Sequence, residues 1–138
     1  MITAVLDTNV LASGFVSHTG APGQLLLSWT YGMFELVISE SILTELERTF
    51  QNPYFRGRLA STQVVANLAL LRREAIIIPI TTQVQGVATH PEDDLVLATA
   101  ESAHADYLVT GDKKLQRLAS YYQIIIFSPR EFLDLLSP

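Results

Sequence analysis

Short apolar runs of strand length alternate along this chain with stretches of helical period, and that alternation limits its fold more than any other feature. Ile2–Leu6, Phe34–Ile38, the "AIIIPI" run at 75–80, "YLVT" at 107–110 and "IIIF" at 124–127 read as five strands. Between them, Pro22–Tyr31 places Leu25, Leu26 and Trp29 on one helical face and stops at Gly32. Ser39 opens a helix with the stripe Ile42, Leu43, Leu46 and Phe50, broken at Asn52-Pro53. A further helix over about Thr62–Glu74 presents Val65, Leu68, Ala69 and Leu71, and Pro91 suits the first position of a helix over Pro91–Ala103. Short helices around Leu115 and Leu118 and over Pro129–Leu136 complete the series. Strands alternating with helices predict a mostly parallel sheet covered on both sides, a three-layer α/β/α sandwich with five central strands. The β-branched run at 75–80 reads as a strand covered on both faces.

The 138 residues suit a single domain spanning 1–138, with no internal repeat or long linker. No apolar run reaches the roughly 18 residues of a membrane span, and the first residues do not read as a secretory leader. There is no cysteine, which excludes disulfides, a thiol nucleophile and thiolate metal ligation, and a reducing cytoplasm is the expected compartment. A net charge of −5 argues against a general nucleic-acid coat, though not against an enzyme that handles a polyanion locally.

The acids fall where such a fold would use them. Ligands of open α/β sheets bind beyond the carboxyl ends of the strands, where strand order reverses. Asp7 lies just past the first strand and Asp112 two residues past the fourth. Glu45 is on the helix after the second strand, and Asp93-Asp94 stands in the first turn of the helix before the fourth. Two carboxylates 4 Å apart repel by about 4 kcal/mol at an effective dielectric near 20, so a converging set calls for a cation. With few basic residues nearby, oxygen-preferring Mg²⁺ or Mn²⁺ is the natural one.

Each acid also has a purely structural reading. Asp-Thr-Asn at 7–9 is turn and cap chemistry, first-turn aspartates suit the helix dipole, and the stripe centred on Leu46 does not choose between Glu45 and Glu47. Asn9 serves equally to hold Asp7 or to fix the turn, Thr110 would aim a hydroxyl at the site end of its strand, and the three histidines lack ligand spacing. Asp106 and Asp112 flank one strand and are therefore roughly 20 Å apart, which assigns Asp106 to the far end of the sheet as a capping residue.

Taken together, these segments resemble the PIN domain family of metal-dependent ribonucleases, which includes the VapC-type toxins. "VLDTNVLAS" is similar to the family's opening strand and first acid, "SESILTELERTF" to the helix of its second, and "PEDDLVLATAESAHADYLVTGDKKL" to the stretch bearing the third and fourth. The resemblance implies catalytic and metal-binding roles for Asp7, Glu45, Asp94 and Asp112, with Asn9, Thr110 and Asp93 supporting. Asp94 is preferred to Asp93 because it immediately precedes "LVLATA". Where relatives often carry Asp-Pro-Asp-Asp, this chain has His90-Pro91-Glu92-Asp93-Asp94. The resemblance further implies an RNA substrate, an antitoxin partner and a homodimer, with hydrolysis by a metal-activated water. Lys113, Lys114 and Arg117 are candidate contacts to the RNA backbone, with Arg56 and Arg58 a second set. A rival phosphatase of the haloacid-dehalogenase type needs a second aspartate two residues after Asp7, where this chain has Asn9. A PIN-like domain used only to bind another protein is the alternative from a different class.

Overall fold

The computed structural model describes residues 1–137; Pro138, the last residue of the expected domain, lies outside them. A six-stranded sheet in the order β3-β2-β1-β4-β6-β5 forms its centre. β1 (Thr3–Leu6) pairs in parallel with β2 (Glu35–Ile38) on one side and β4 (Tyr107–Val109) on the other, with Ala4 opposite both Leu36 and Tyr107. β4 continues in parallel to β6 (Ile124–Phe127), and β2 to β3 (Ile76–Ile77). The architecture is the predicted α/β sandwich. Ala4, Val5 and Leu6 are fully buried because β1 is the central strand, enclosed on both faces.

Helix α1 (Thr8–Val16) follows β1 directly, then α2 (Ala21–Thr30). After β2 come α3 (Glu40–Phe50), the single turn α4 (Pro53–Arg56) and α5 (Ser61–Glu74). The helix α6 (Pro91–Ser102) lies against β1, β2 and β4, while α8 (Pro129–Leu136) packs on β6 and α2. The edge-to-face pair Phe34–Phe132, with centroids 5.2 Å apart, joins α8 to the residue before β2.

Four expectations change. The sheet has a sixth strand, β5 (Ser120–Tyr121), which follows α7 (Lys113–Leu118) and pairs antiparallel with β6. The run at 75–80 is an edge strand of two residues, with Ile76 and Ile77 about 40% exposed. Pro79 supplies no backbone N–H, and a strand that carries one belongs at a sheet edge. α5 faces inward through Val64, Leu68 and Leu71, and Val65 points to solvent. The segment 8–16, for which the sequence suggested no element, is the helix α1, with Asp7 as its N-cap, one of the two structural roles read for it.

At the far end of the sheet, Asp106 Oδ2 accepts from the Thr3 N–H at 2.9 Å and the Thr3 hydroxyl at 3.3 Å, which ties the starts of β1 and β4 together. α1 and α2 approach closely where glycine leaves room. A Cβ on Gly23 would sit 2.0 Å from the Ser17 carbonyl oxygen, a backbone atom that cannot step aside. Gly23→Ala is therefore expected to destabilise the protein by about 1–3 kcal/mol, read from urea denaturation, although alanine is the better helix former.

Candidate active site

The strand order reverses at β1, whose neighbours β2 and β4 send their chains in opposite directions across the sheet. The carboxyl ends of β1 and β4 lie side by side there, with the Asp7 N–H donating to the Val109 carbonyl at 2.9 Å. This is the position at which open α/β sheets bind their ligands.

Asp7 is 3% exposed and fully engaged. Its Oδ1 accepts from the Val10 N–H at 2.9 Å, capping α1, and its Oδ2 accepts from the Thr110 hydroxyl and from the Gly111 N–H at 3.3 Å. Burial raises the Asp7 pKa above the ordinary aspartate value, and these donors, led by Thr110, offset only part of the effect. The Thr110 hydroxyl oxygen in turn accepts from the Asp112 N–H at 3.0 Å, so one threonine connects the two acids.

Asp112 caps α7. Its Oδ1 accepts from the N–H groups of Lys114 (2.8 Å) and Leu115 (3.2 Å) and from the Thr89 hydroxyl (3.0 Å), while its Oδ2 accepts from the Thr89 N–H (3.0 Å). Desolvation opposes its charge, but donation from Thr89, Leu115 and Lys114 outweighs it and holds the pKa below the ordinary value.

Asp93 reaches the same cleft from the first turn of α6. Its pKa is pushed up to about 6, first by desolvation and then by the charges of Asp7 and Asp112, with a hydrogen bond to Asp112 adding to the rise. The His90 imidazole, Nδ1 3.7 Å from Asp93 Oδ2, acts in the other direction. Asp7, Asn9, Asp93, Asp112 and Lys113 thus line one open cleft of about 540 Å³, its wall completed by Thr89 and His90.

Asp94 and Glu45 stand apart from this group. Of the neighbouring pair, Asp93 lines the cleft and Asp94 does not. Asp94 is 7% exposed and turns beneath the preceding loop, where it accepts from the N–H groups of Gly86 (2.9 Å), Val87 (3.1 Å) and Ala88 (2.7 Å). Gly86 adopts φ +71°, a conformation open to glycine, and the successive N–H groups converge on the carboxylate. Glu45 lines a neighbouring cleft of about 400 Å³ with Thr8, Arg48, Pro91 and Leu95, and Arg48 Nη1 lies 3.5 Å from its Oε2. The two clefts meet along the chain at Asp7-Thr8 and His90-Pro91. Lys113 borders the acid cleft, while Lys114 and Arg117 are exposed on the α7 side. Sequence reasoning missed Thr89, which carries no motif, and Arg48, whose spacing of three from Glu45 was a usable signal.

Among the described residues, no group of three or more histidine, cysteine, aspartate or glutamate side chains is arranged to hold a metal ion. The donors are nonetheless right in kind. Three carboxylates and one lysine line the cleft, and the acids offer only oxygen donors. The Asp93 pKa, raised by burial and then by the charges of Asp7 and Asp112, marks a place where a hard divalent cation would be favourable.

The fold and the cleft together define a doubly wound α/β domain with an acidic site at its topological switch point. A family model described as PIN domain matches residues 3–114. The chain belongs to the PIN domain family. Among solved structures, it resembles a chain of VapBC2 from Rickettsia felis, a structure solved bound to a DNA fragment from their promoter. The TM-score is 0.61 at 19% identity, covering 91% of this chain and 97% of the other. No curated protein sequence matches.

The raised Asp93 pKa has a consequence for stability. Between the ordinary aspartate value of 3.8 and about 6, the folded protein binds more proton at Asp93 than the unfolded chain does. Its contribution therefore becomes steadily less favourable as pH rises through that window. In EDTA, Asp93→Asn is expected to gain stability relative to wild type from pH 4 to 6.5 and to hold a constant advantage above it. Urea denaturation at successive pH values reads the difference, and a pH-independent difference contradicts the assignment.

Proposed function

We propose that this chain is a divalent-metal-dependent endoribonuclease, the toxin component of a toxin–antitoxin pair. The observation that supports this most is the convergence of Asp7, Asp93 and Asp112 on one cleft at the switch point of a PIN domain. Asp7, Asp93 and Asp112 are the residues to hold Mg²⁺ or Mn²⁺. When bound, the ion supplies a more acidic water and neutralises charge on the phosphate.

The chain's own residues supply the frame. Thr110 and Gly111 fix Asp7 at the end of β1, so its carboxylate enters the cleft in one orientation. Thr89 and the start of α7 do the same for Asp112. Asp93, whose pKa stands at about 6 in the metal-free cleft, is the acid that gives up its proton when a cation enters. Lys113 at the rim is placed to meet an RNA phosphate, with Lys114 and Arg117 further along the same helix. Glu45 is assigned to the adjacent cleft, which it lines with Arg48. Asp94 is assigned to the loop and not to the ion.

The VapBC2 likeness supports an antitoxin partner, and the charge of the acidic cleft suits a basic segment of it. Among the described residues, no helix is long and apolar enough to cross a membrane. The second reading, a PIN domain that binds a protein without cutting RNA, draws on the separation of Glu45 from the acid cleft.

Cleavage of a defined RNA panel decides between them. Wild type is expected to cleave with Mn²⁺ or Mg²⁺ and to be silent in EDTA. Asp112→Asn is expected to abolish cleavage yet fold normally, since asparagine caps a helix as well as aspartate. Millimolar Mn²⁺ is expected to raise the wild-type melting temperature by binding the native state, and less so in Asp112→Asn. Metal-independent silence towards every RNA, with no thermal shift, supports the binding module instead.

A further inference from the structure

The loop before α6 joins two acids that do different things. At one end, Asp94 gathers the N–H groups of Gly86, Val87 and Ala88. One residue further on, Thr89 gives both its N–H and its hydroxyl to Asp112, 23 residues away in sequence. Thr89 is itself exposed, so neither bond comes from burial of its side chain. We infer that Thr89 is a positioning residue for Asp112 and that Asp94 acts through it, by anchoring the loop that carries it.

The hydrogen-bond count gives the reason. A carboxylate offers about four acceptor positions. Of the donors from Thr89 and α7, Asp112 Oδ1 takes three, from Thr89, Lys114 and Leu115, whereas Oδ2 takes one, the Thr89 N–H. The donors from α7 grip a single oxygen and leave the carboxylate free to turn about its Cβ–Cγ bond. Thr89 bonds both oxygens and removes that freedom. Its hydroxyl on Oδ1 keeps its N–H in register with Oδ2, so loss of the hydroxyl slackens both bonds, and Oδ2 is left with acceptor capacity to spare. Asp94 then explains why the loop is fixed: its three N–H bonds hold Gly86–Ala88 in the converging arrangement that sets Thr89 in place. Asp94 is thereby given a role that does not require it in the cleft.

This inference rests on the reading of Asp112 as a cation ligand, and the test separates the two. Thr89→Val keeps the shape and the N–H but deletes the hydroxyl donor, while Thr89→Ser restores it. Mn²⁺ affinity is measured without RNA from the electron paramagnetic resonance of the free ion, and kcat and KM are measured on a cleavable RNA. Thr89→Val is expected to weaken Mn²⁺ binding roughly tenfold and to lower kcat by a similar factor, with KM unchanged. Thr89→Ser is expected to behave as wild type. Asp94→Asn, which weakens the loop anchor, is expected to change both quantities in the same direction as Thr89→Val.

Wild-type Mn²⁺ affinity in Thr89→Val overturns the inference. Tighter binding overturns it too, since Thr89 then competes with the ion for Asp112. If wild type binds Mn²⁺ but cuts no RNA, the nuclease reading falls, and the affinities alone still decide the role of Thr89. If wild type binds no Mn²⁺, both readings fall.

Discussion

A buried carboxylate at the end of the central strand organises this molecule. Moving the Asp7 charge out of water is costly, and the cost is offset only because three donors from two parts of the chain meet it. Those donors are the start of α1 and the turn after β4, so one side chain specifies where the first helix begins and where the fourth strand ends. Removing the acceptor would leave the Val10 and Gly111 N–H groups and the Thr110 hydroxyl short of a partner, a larger penalty than the loss of any one bond. Structural and chemical demands on Asp7 therefore coincide; the capping reading and the site reading of "DTN" are both satisfied by one geometry.

The acids around it divide according to what they accept from. Asp7, Asp94 and Asp112 each take backbone N–H groups and so hold the chain in shape. Asp93 is half-buried beside two other acids, and its pKa responds first to that burial and then to their charges. That division places firmness and responsiveness in different residues of one small cleft.

The strands whose apolar runs are enclosed on both faces, Ala4-Val5-Leu6 above all, were legible because nothing else in the sequence competes with that pattern. β5 was not legible: Ser120 and Tyr121 have no strand pattern of their own and are held by their register with β6 after the turn at Ala119, φ +66°. Asp7, Asp112 and Thr110 could be placed from strand ends, where one residue more or less matters little. Asp93 and Asp94 could not be separated, because neighbouring positions on a helix differ by about 100° in direction. Val96 through Ala100 are all buried, so α6 has no polar face to fix that direction. Glu45 sat on the border of the α3 stripe, and only the packing of that helix decided which cleft it enters.

The contacts that complete the cleft span most of the chain. Asp7 meets Thr110 across 103 residues, and Thr3 meets Asp106 across the same separation. β1 can pair with β2 early, but its other edge waits for β4. Closing so long a loop delays the native arrangement, as in any fold rich in distant pairings. During synthesis, a ribosome must therefore release the first strand, two layers of helices and the fourth strand before Asp7 and Asp112 can stand together. The acidic cleft is absent from every shorter nascent chain, and whatever chemistry it performs is withheld until Asp112 has emerged.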